Sequence, residues 1–269
     1  MQRNAVERTP CERRRPGPQT HGVVPGARRR SHRALLPGTL LAAVLWASAQ
    51  SHAACILDQI GPDPSWTLPR LVYASQDFEP AFNSYDVGVV DNFTVPPPGY
   101  YLTDVSAVLG FWNGSGNPGT IQYYRVEFYQ TPGQAGGNLT GTVQSLSIPA
   151  ANATVIPWGG GANNKVKVTL DLTPYNITLS PGTQYLAVIP RMDFGGGLGQ
   201  VGVSGSNWVG TPADYNAGQA SPGGGFGWAG YRPIDPVDNA AYELCGYIVP
   251  EPAAFALFAL GPLLRRRPS

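Results

Sequence analysis

The stretch Lys165 to Leu172 alternates strictly, with Val166, Val168, Leu170 and Leu172 at every second position and Lys167, Thr169 and Asp171 between them. Side chains on a strand point to opposite faces with a period of two, so the pattern predicts a strand with one buried and one wetted face. The alternation returns in Ile121 to Gln130, where Tyr124, Val126 and Phe128 oppose Arg125 and Glu127, and again in Val105, Ala107, Leu109 and Phe111. Further β-branched or aromatic runs at Leu71–Ser75, Val87–Val95, Val143–Ile148, Gln184–Pro190, Val201–Ser204 and Ala241–Val249 bring the expected strands to about nine.

Glycine and proline separate these runs, in turns such as Ser180-Pro181-Gly182-Thr183, and neither a long helical period nor a fixed-length repeat interrupts them. The expectation is an all-β domain, a jelly-roll-like sandwich of two sheets. Its loops Asn113–Gly119, Gly133–Gly141, Gly159–Asn164, Gly195–Gly199 and Ser221–Gly227 are too glycine-rich to fill a core and are expected to move or to hold a ligand.

Both ends read as processing signals. Nine arginines precede a short apolar run, Ala34 to Trp46, followed by Ala47-Ser48-Ala49 and Ser51-His52-Ala53. That is the layout of a secretory signal peptide with a helical apolar segment, assigned to residues 1–53 and cut after Ala49 or Ala53. The sandwich is assigned to residues 54–248 and a C-terminal segment to residues 249–269.

Between Ala54 and Val249, six basic residues face fourteen carboxylates, a formal charge of minus eight. This disfavours nucleic acid and anionic membrane surfaces as partners. His21, His32 and His52 all fall in the leader, so the domain has no imidazole for acid–base work or metal ligation. Cys55 and Cys245 are the two cysteines outside the leader, and an oxidising destination favours a bridge between them, with two free thiols as the alternative.

The chain closes with Val249-Pro250-Glu251-Pro252, an apolar run from Ala253 to Leu264, and Arg265-Arg266-Arg267. This tail resembles the PEP-CTERM sorting signal. The resemblance covers Pro250 to Ser269 and implies an exported protein of the cell envelope, outer surface or extracellular matrix. It implies an exosortase-type processing enzyme and the export machinery as partners, transient anchoring in the inner membrane through a short apolar C-terminal helix, and exopolysaccharide as a further partner. The prolines break structure before the helix, and the arginines resist translocation. Two departures weaken the anchor: the run of twelve residues reaches only about 18 Å as a helix, and Pro262 interrupts it. The segments Asp91-Asn92-Phe93-Thr94-Val95-Pro96 and Leu179-Ser180-Pro181-Gly182-Thr183-Gln184-Tyr185 are also similar to domains that precede such tails, which implies a jelly-roll-like fold and no activity.

Nucleophile elbows, zinc-protease motifs, phosphate-binding loops and Cys-x-x-Cys pairs do not occur. Asp77 with Glu79, Asp86 with Asp91, or Asp235, Asp238 and Glu243 offer carboxylates for a glycosidase, or oxygen ligands for calcium around the last group. Solvated turn residues are the preferred reading, with no cofactor. Trp112, Trp158, Trp208 and Trp228 lie beside glycine-rich loops, with Tyr215 and Tyr231 near two of them. They either stack on a glycan or cover the edges of the core. The expectation is a non-catalytic exported protein, with a carbohydrate-binding module as the first alternative and a carboxylate glycosidase as the second.

Overall fold

The structure, a computed structural model, describes residues 54–249 apart from residues 69, 160–164, 209, 212, 213, 215 and 237. The signal region, the sorting segment Pro250–Ser269, Tyr215 and most of the Gly159–Asn164 loop lie outside the described residues.

The described domain is all-β and built from two antiparallel sheets. Its fifteen described strands are β1 Ala54–Asp58, β2 Val72–Ala74, β3 Gly88–Val95, β4 Tyr100–Trp112, β5 Tyr123–Tyr129, β6 Gln144–Pro149, β7 Ala153–Pro157, β8 Lys165–Asp171, β9 Thr178–Leu179, β10 Gly182–Arg191, β11 Gln200–Ser206, β12 Gly218–Ser221, β13 Gly230–Pro233, β14 Asn239–Ala240 and β15 Tyr242–Ile248. The larger sheet runs β1-β15-β4-β11-β14, with β8 and β9 also on β4, β7 on β8 and β2 on β11. The smaller runs β13-β12-β3-β10-β5-β6.

The alternating residues pack as their period requires. Tyr124, Val126 and Phe128 of β5 and Leu186 and Val188 of β10 meet Val105 and Leu109 of β4, Val168 and Leu170 of β8, and Val203 of β11 in one buried core. Fully burying each such side chain contributes about 1.5–3 kcal/mol. Tyr242 spans the layers: its hydroxyl donates to the Val89 carbonyl at 2.8 Å and accepts the Val188 N–H at 3.1 Å.

Six described strands lie beyond the expected nine: β1 and β7 have five residues each, β12 and β13 four, and β9 and β14 two. Runs that brief carry no readable alternation.

Two expectations are corrected by the same segment. Gly133–Gly141 was expected to be too glycine-rich to pack, yet it carries the helix α1, Pro132–Gly137, whose Ala135 joins Leu139 in a second core with Val90, Ala187, Ile189 and Ala220 on the outer face of the smaller sheet. Its glycines permit close approach: a Cβ on Gly136 would lie 2.7 Å from the Tyr231 backbone nitrogen. Glu127 does point away from the central core, but it is buried rather than wetted. Its carboxylate accepts the Gly141 N–H at 2.7 Å and pairs with Arg125 at 2.8 Å.

β4 defines two poles. At its Tyr100 end, the Tyr100 hydroxyl donates to the Ala54 carbonyl, and the Val249 N–H donates to the Gly99 carbonyl, so both ends of the described domain emerge there. At its other end Trp112 lies opposite Gln200. Segments 76–87, 192–199 and 222–229 gather at this second pole.

Candidate binding site

At the second pole five aromatic side chains, Phe78, Phe82, Tyr85, Phe194 and Phe226, line a cavity of about 250 Å³ with Gln200. Neighbouring ring centroids are 5.4 to 6.4 Å apart, and the rings meet at 55° to 89°, as walls rather than stacks. Phe78 is buried, while Tyr85 and Phe194 are each 39% exposed at the rim.

Polar contacts fix each wall. A 3-10 turn, Pro80–Tyr85, presents Phe82 and Tyr85. Glu79 accepts the N–H groups of Phe194 and Gly195 at 2.7 and 2.8 Å. The loss of water around Glu79 works against its charge, but these N–H groups and Arg191 outweigh it and hold its pKa below the ordinary value. Asp86 accepts the Phe78 N–H at 2.8 Å, and burial pushes its pKa up to about 6. The Gly225 N–H donates to the Ser84 carbonyl at 2.7 Å, an approach that needs glycine because a Cβ there would lie 2.5 Å from the same oxygen.

One residue earlier, Asp77 belongs to a polar cleft of about 440 Å³ on the outer face of the smaller sheet, lined also by Tyr123, Arg125, Glu127, Ser145 and Ser147. Asp77 accepts from the Tyr123 hydroxyl at 2.9 Å and lies 3.1 Å from Arg191 and 3.8 Å from Arg125. Burial, then Asp77 itself, raises the Tyr123 pKa. In this cleft the acids are matched by guanidinium groups.

The carboxylates grouped by the sequence are engaged by other groups, although Asp235 and Asp238 share a turn near Tyr73. Asp77 and Glu79 take different partners. Asp86 caps a loop, whereas Asp91 lies buried and accepts the Asn92 and Ala240 N–H groups, linking β3 to β14. Burial pushes the Asp91 pKa up to about 8. Asp238 pairs with Arg70 at 2.5 Å and accepts from the Tyr73 hydroxyl, while Glu243 pairs with Lys167 at 3.3 Å. Among the described residues, the one set of three potential metal ligands within reach of one another is Cys55, Glu243 and Cys245, and its two sulfurs are bonded to each other.

Three of the four singled-out tryptophans are committed to separate contacts. Trp158 donates to the Thr67 hydroxyl at 2.7 Å, Trp208 packs on Trp66 with centroids 4.9 Å apart, and Trp228 lies under the Arg232 guanidinium at 3.9 Å. Trp112 ends β4, half-buried. Tyr231 donates to the Asn216 carbonyl. Trp228 alone lines a groove that shares Phe226 with the aromatic cavity. Sequence reasoning missed the phenylalanine cavity. The available cue was Phe78, Phe82 and Tyr85 in a segment without strand alternation.

Among the described residues no helix is long and apolar enough to cross a membrane. No protein-family model, curated protein or solved structure matches the chain.

Proposed function

We propose that the chain is an exported, non-catalytic protein of the cell surface or extracellular matrix, sorted and processed through a C-terminal signal of PEP-CTERM type by an exosortase-type enzyme. The observation that carries this reading is the Cys55–Cys245 bridge, which ties β1 to β15 beside the pole where both ends of the described domain emerge. Such a bridge persists in an oxidising compartment, which the leader would supply. The first arginine of the closing cluster stands sixteen residues after Val249, and the apolar run begins four residues after it, so anchoring would hold the Tyr100 pole near the bilayer and turn the loop pole outward. Engagement of the acids by guanidinium groups and backbone N–H groups supports a binding or structural role over carboxylate catalysis.

The test compares the whole chain with one lacking Pro250 to Ser269 by cell fractionation and mass spectrometry of the mature C-terminus. Trimming near Pro250–Pro252, with passage through the membrane fraction for the whole chain alone, is the expected result. Identical behaviour of both chains with the arginines retained would remove the sorting assignment.

A second reading, recognition of exopolysaccharide, is favoured by the place of Trp228 in the groove beside the aromatic cavity. It predicts that Trp228→Ala loses retention on the polysaccharide, and unchanged retention would dispose of it.

A further inference from the structure

We infer that the aromatic cavity at the loop pole binds a small alkylated ammonium ion, of the trimethylammonium class, taken from free solution. The cation chemistry is independent of how the chain is sorted, and only the choice of a free solute over a lipid headgroup rests on the proposed anchoring.

The walls are the first reason. Phe78, Phe82, Tyr85, Phe194 and Phe226 surround a cavity of about 250 Å³ on several sides, and their rings are tilted or edge-on to one another. Aromatic faces carry the negative end of the ring quadrupole, and several of them around one volume attract a cation that has no N–H to hydrogen-bond.

Charge is the second reason. No basic side chain lines the cavity. The framework behind it holds Asp77, Glu79, Asp86 and Asp193 against Arg191 and Arg125. Hydrogen bonds keep Glu79 ionised and aimed at the backbone of Phe194 and Gly195. The domain as a whole carries six basic residues against fourteen acids, so the surrounding field also favours a cation.

Polarity and size exclude the nearest competitor. A sugar brings several hydroxyls that need partners, whereas the lining offers the Tyr85 phenol and the Gln200 amide, whose carbonyl oxygen already accepts from Asn113 at 2.7 Å. The volume lies below the roughly 300–1,000 Å³ of pockets for drug-sized ligands, so the occupant is small. Its position selects the source: the cavity stands at the pole opposite Ala54 and Val249, away from the end that would face a bilayer, which favours a free solute over a lipid headgroup.

The experiment titrates purified full-length chain with choline chloride and, separately, with 3,3-dimethyl-1-butanol, a neutral compound of the same shape, by calorimetry. Saturable one-to-one choline binding, at least about tenfold tighter than the alcohol, is the expected result. Phe226→Leu, which keeps apolar bulk and removes a ring, is expected to weaken choline several-fold while leaving the alcohol unchanged. Equal affinity for both compounds would overturn the inference, since the cavity would then be merely apolar. Absence of choline binding to the unsubstituted chain would overturn it too. Association with phosphatidylcholine vesicles without binding of free choline would replace the proposed solute with a lipid.

Discussion

Arg191 lies 3.1 Å from the Asp77 carboxylate and donates from the same guanidinium nitrogen to the backbone carbonyl of Phe78. The ion pair of the polar cleft therefore also carries the residue at the floor of the aromatic cavity. Both charged side chains are largely buried, at 13% and 12% exposure, so removing Arg191 leaves Asp77 with the Tyr123 hydroxyl and the more distant Arg125 as weaker compensation. Arg191→Met should destabilise the fold by about 2–4 kcal/mol in chemical denaturation. Adding Asp77→Asn should cost less than the sum of the two single changes, because the under-compensated carboxylate is then gone. Simple additivity would mean that the pair is not coupled.

Cys55 and Cys245 are directly paired in the β1–β15 ladder and lie 190 residues apart in sequence. The loop-entropy model puts the crosslink at up to roughly 5 kcal/mol. β15 is held on its other side by β4, whereas β1 has β15 as its ladder partner. A Cys55→Ser, Cys245→Ser variant should therefore lower the melting temperature, with amide exchange in Ala54–Asp58 accelerating first. Uniform exchange across β15 and β4 would contradict this order of fraying.

The sandwich was legible where one strand carried its own evidence. Val166, Val168 and Leu170 alternate within β8, and Tyr124, Val126 and Phe128 within β5, so local spacing dictated the buried face. The cysteine pairing was legible because elimination left two candidates. The cavity was not, since Phe78 precedes Phe194 and Phe226 by more than a hundred residues and the three segments meet only after the sheets pair. Glu127 failed differently. Its side of β5 was readable, but the glycine-rich cover that buries it was not, because glycine's use in close packing leaves no periodic trace. The tryptophans, placed beside glycine-rich loops, were open to glycan stacking or to covering the core edge, and the structure engages Trp158 and Trp208 around the Pro64–Trp66 turn and Trp228 beneath Arg232.

Stability should fall as pH rises from about 4 to about 8. Burial raises Asp86 to about 6 and Asp91 to about 8, from an ordinary value of 3.8. Between those limits the folded state retains protons that the unfolded state has released, so their stabilising contribution is complete below the unfolded pKa and is lost as pH rises through the folded one. Glu79, held below its ordinary 4.5, acts with the opposite sign only below that pH, and Lys165, lowered from 10.5 to about 8, acts with the opposite sign as pH approaches 8 and above, so the fall is steepest below about pH 7. Urea midpoints between pH 4 and 8 test the slope, and Asp91→Asn should flatten its upper half. A midpoint rising across this range would refute the assignment.

Lys165 is 9% exposed, and its ammonium donates to the carbonyls of Thr67 and Arg70 at 2.7 and 2.9 Å and to the Ser204 hydroxyl at 2.9 Å. Burial lowers its pKa to about 8, so at neutral pH it remains mostly charged and binds segment 67–70 to β8 and β11. Lys165→Met would remove the charge together with its desolvation penalty, but would leave buried backbone acceptors without a donor. The net loss should be about 2–3 kcal/mol. Because Trp158 donates to Thr67 at 2.7 Å, loosening of this segment should also shift indole fluorescence to longer wavelength. Lys165→Arg should not rescue the site, since a planar guanidinium cannot direct donors to the same converging acceptors in the space of one ammonium. Full stability in the arginine variant would show that charge alone, rather than this geometry, holds the segment.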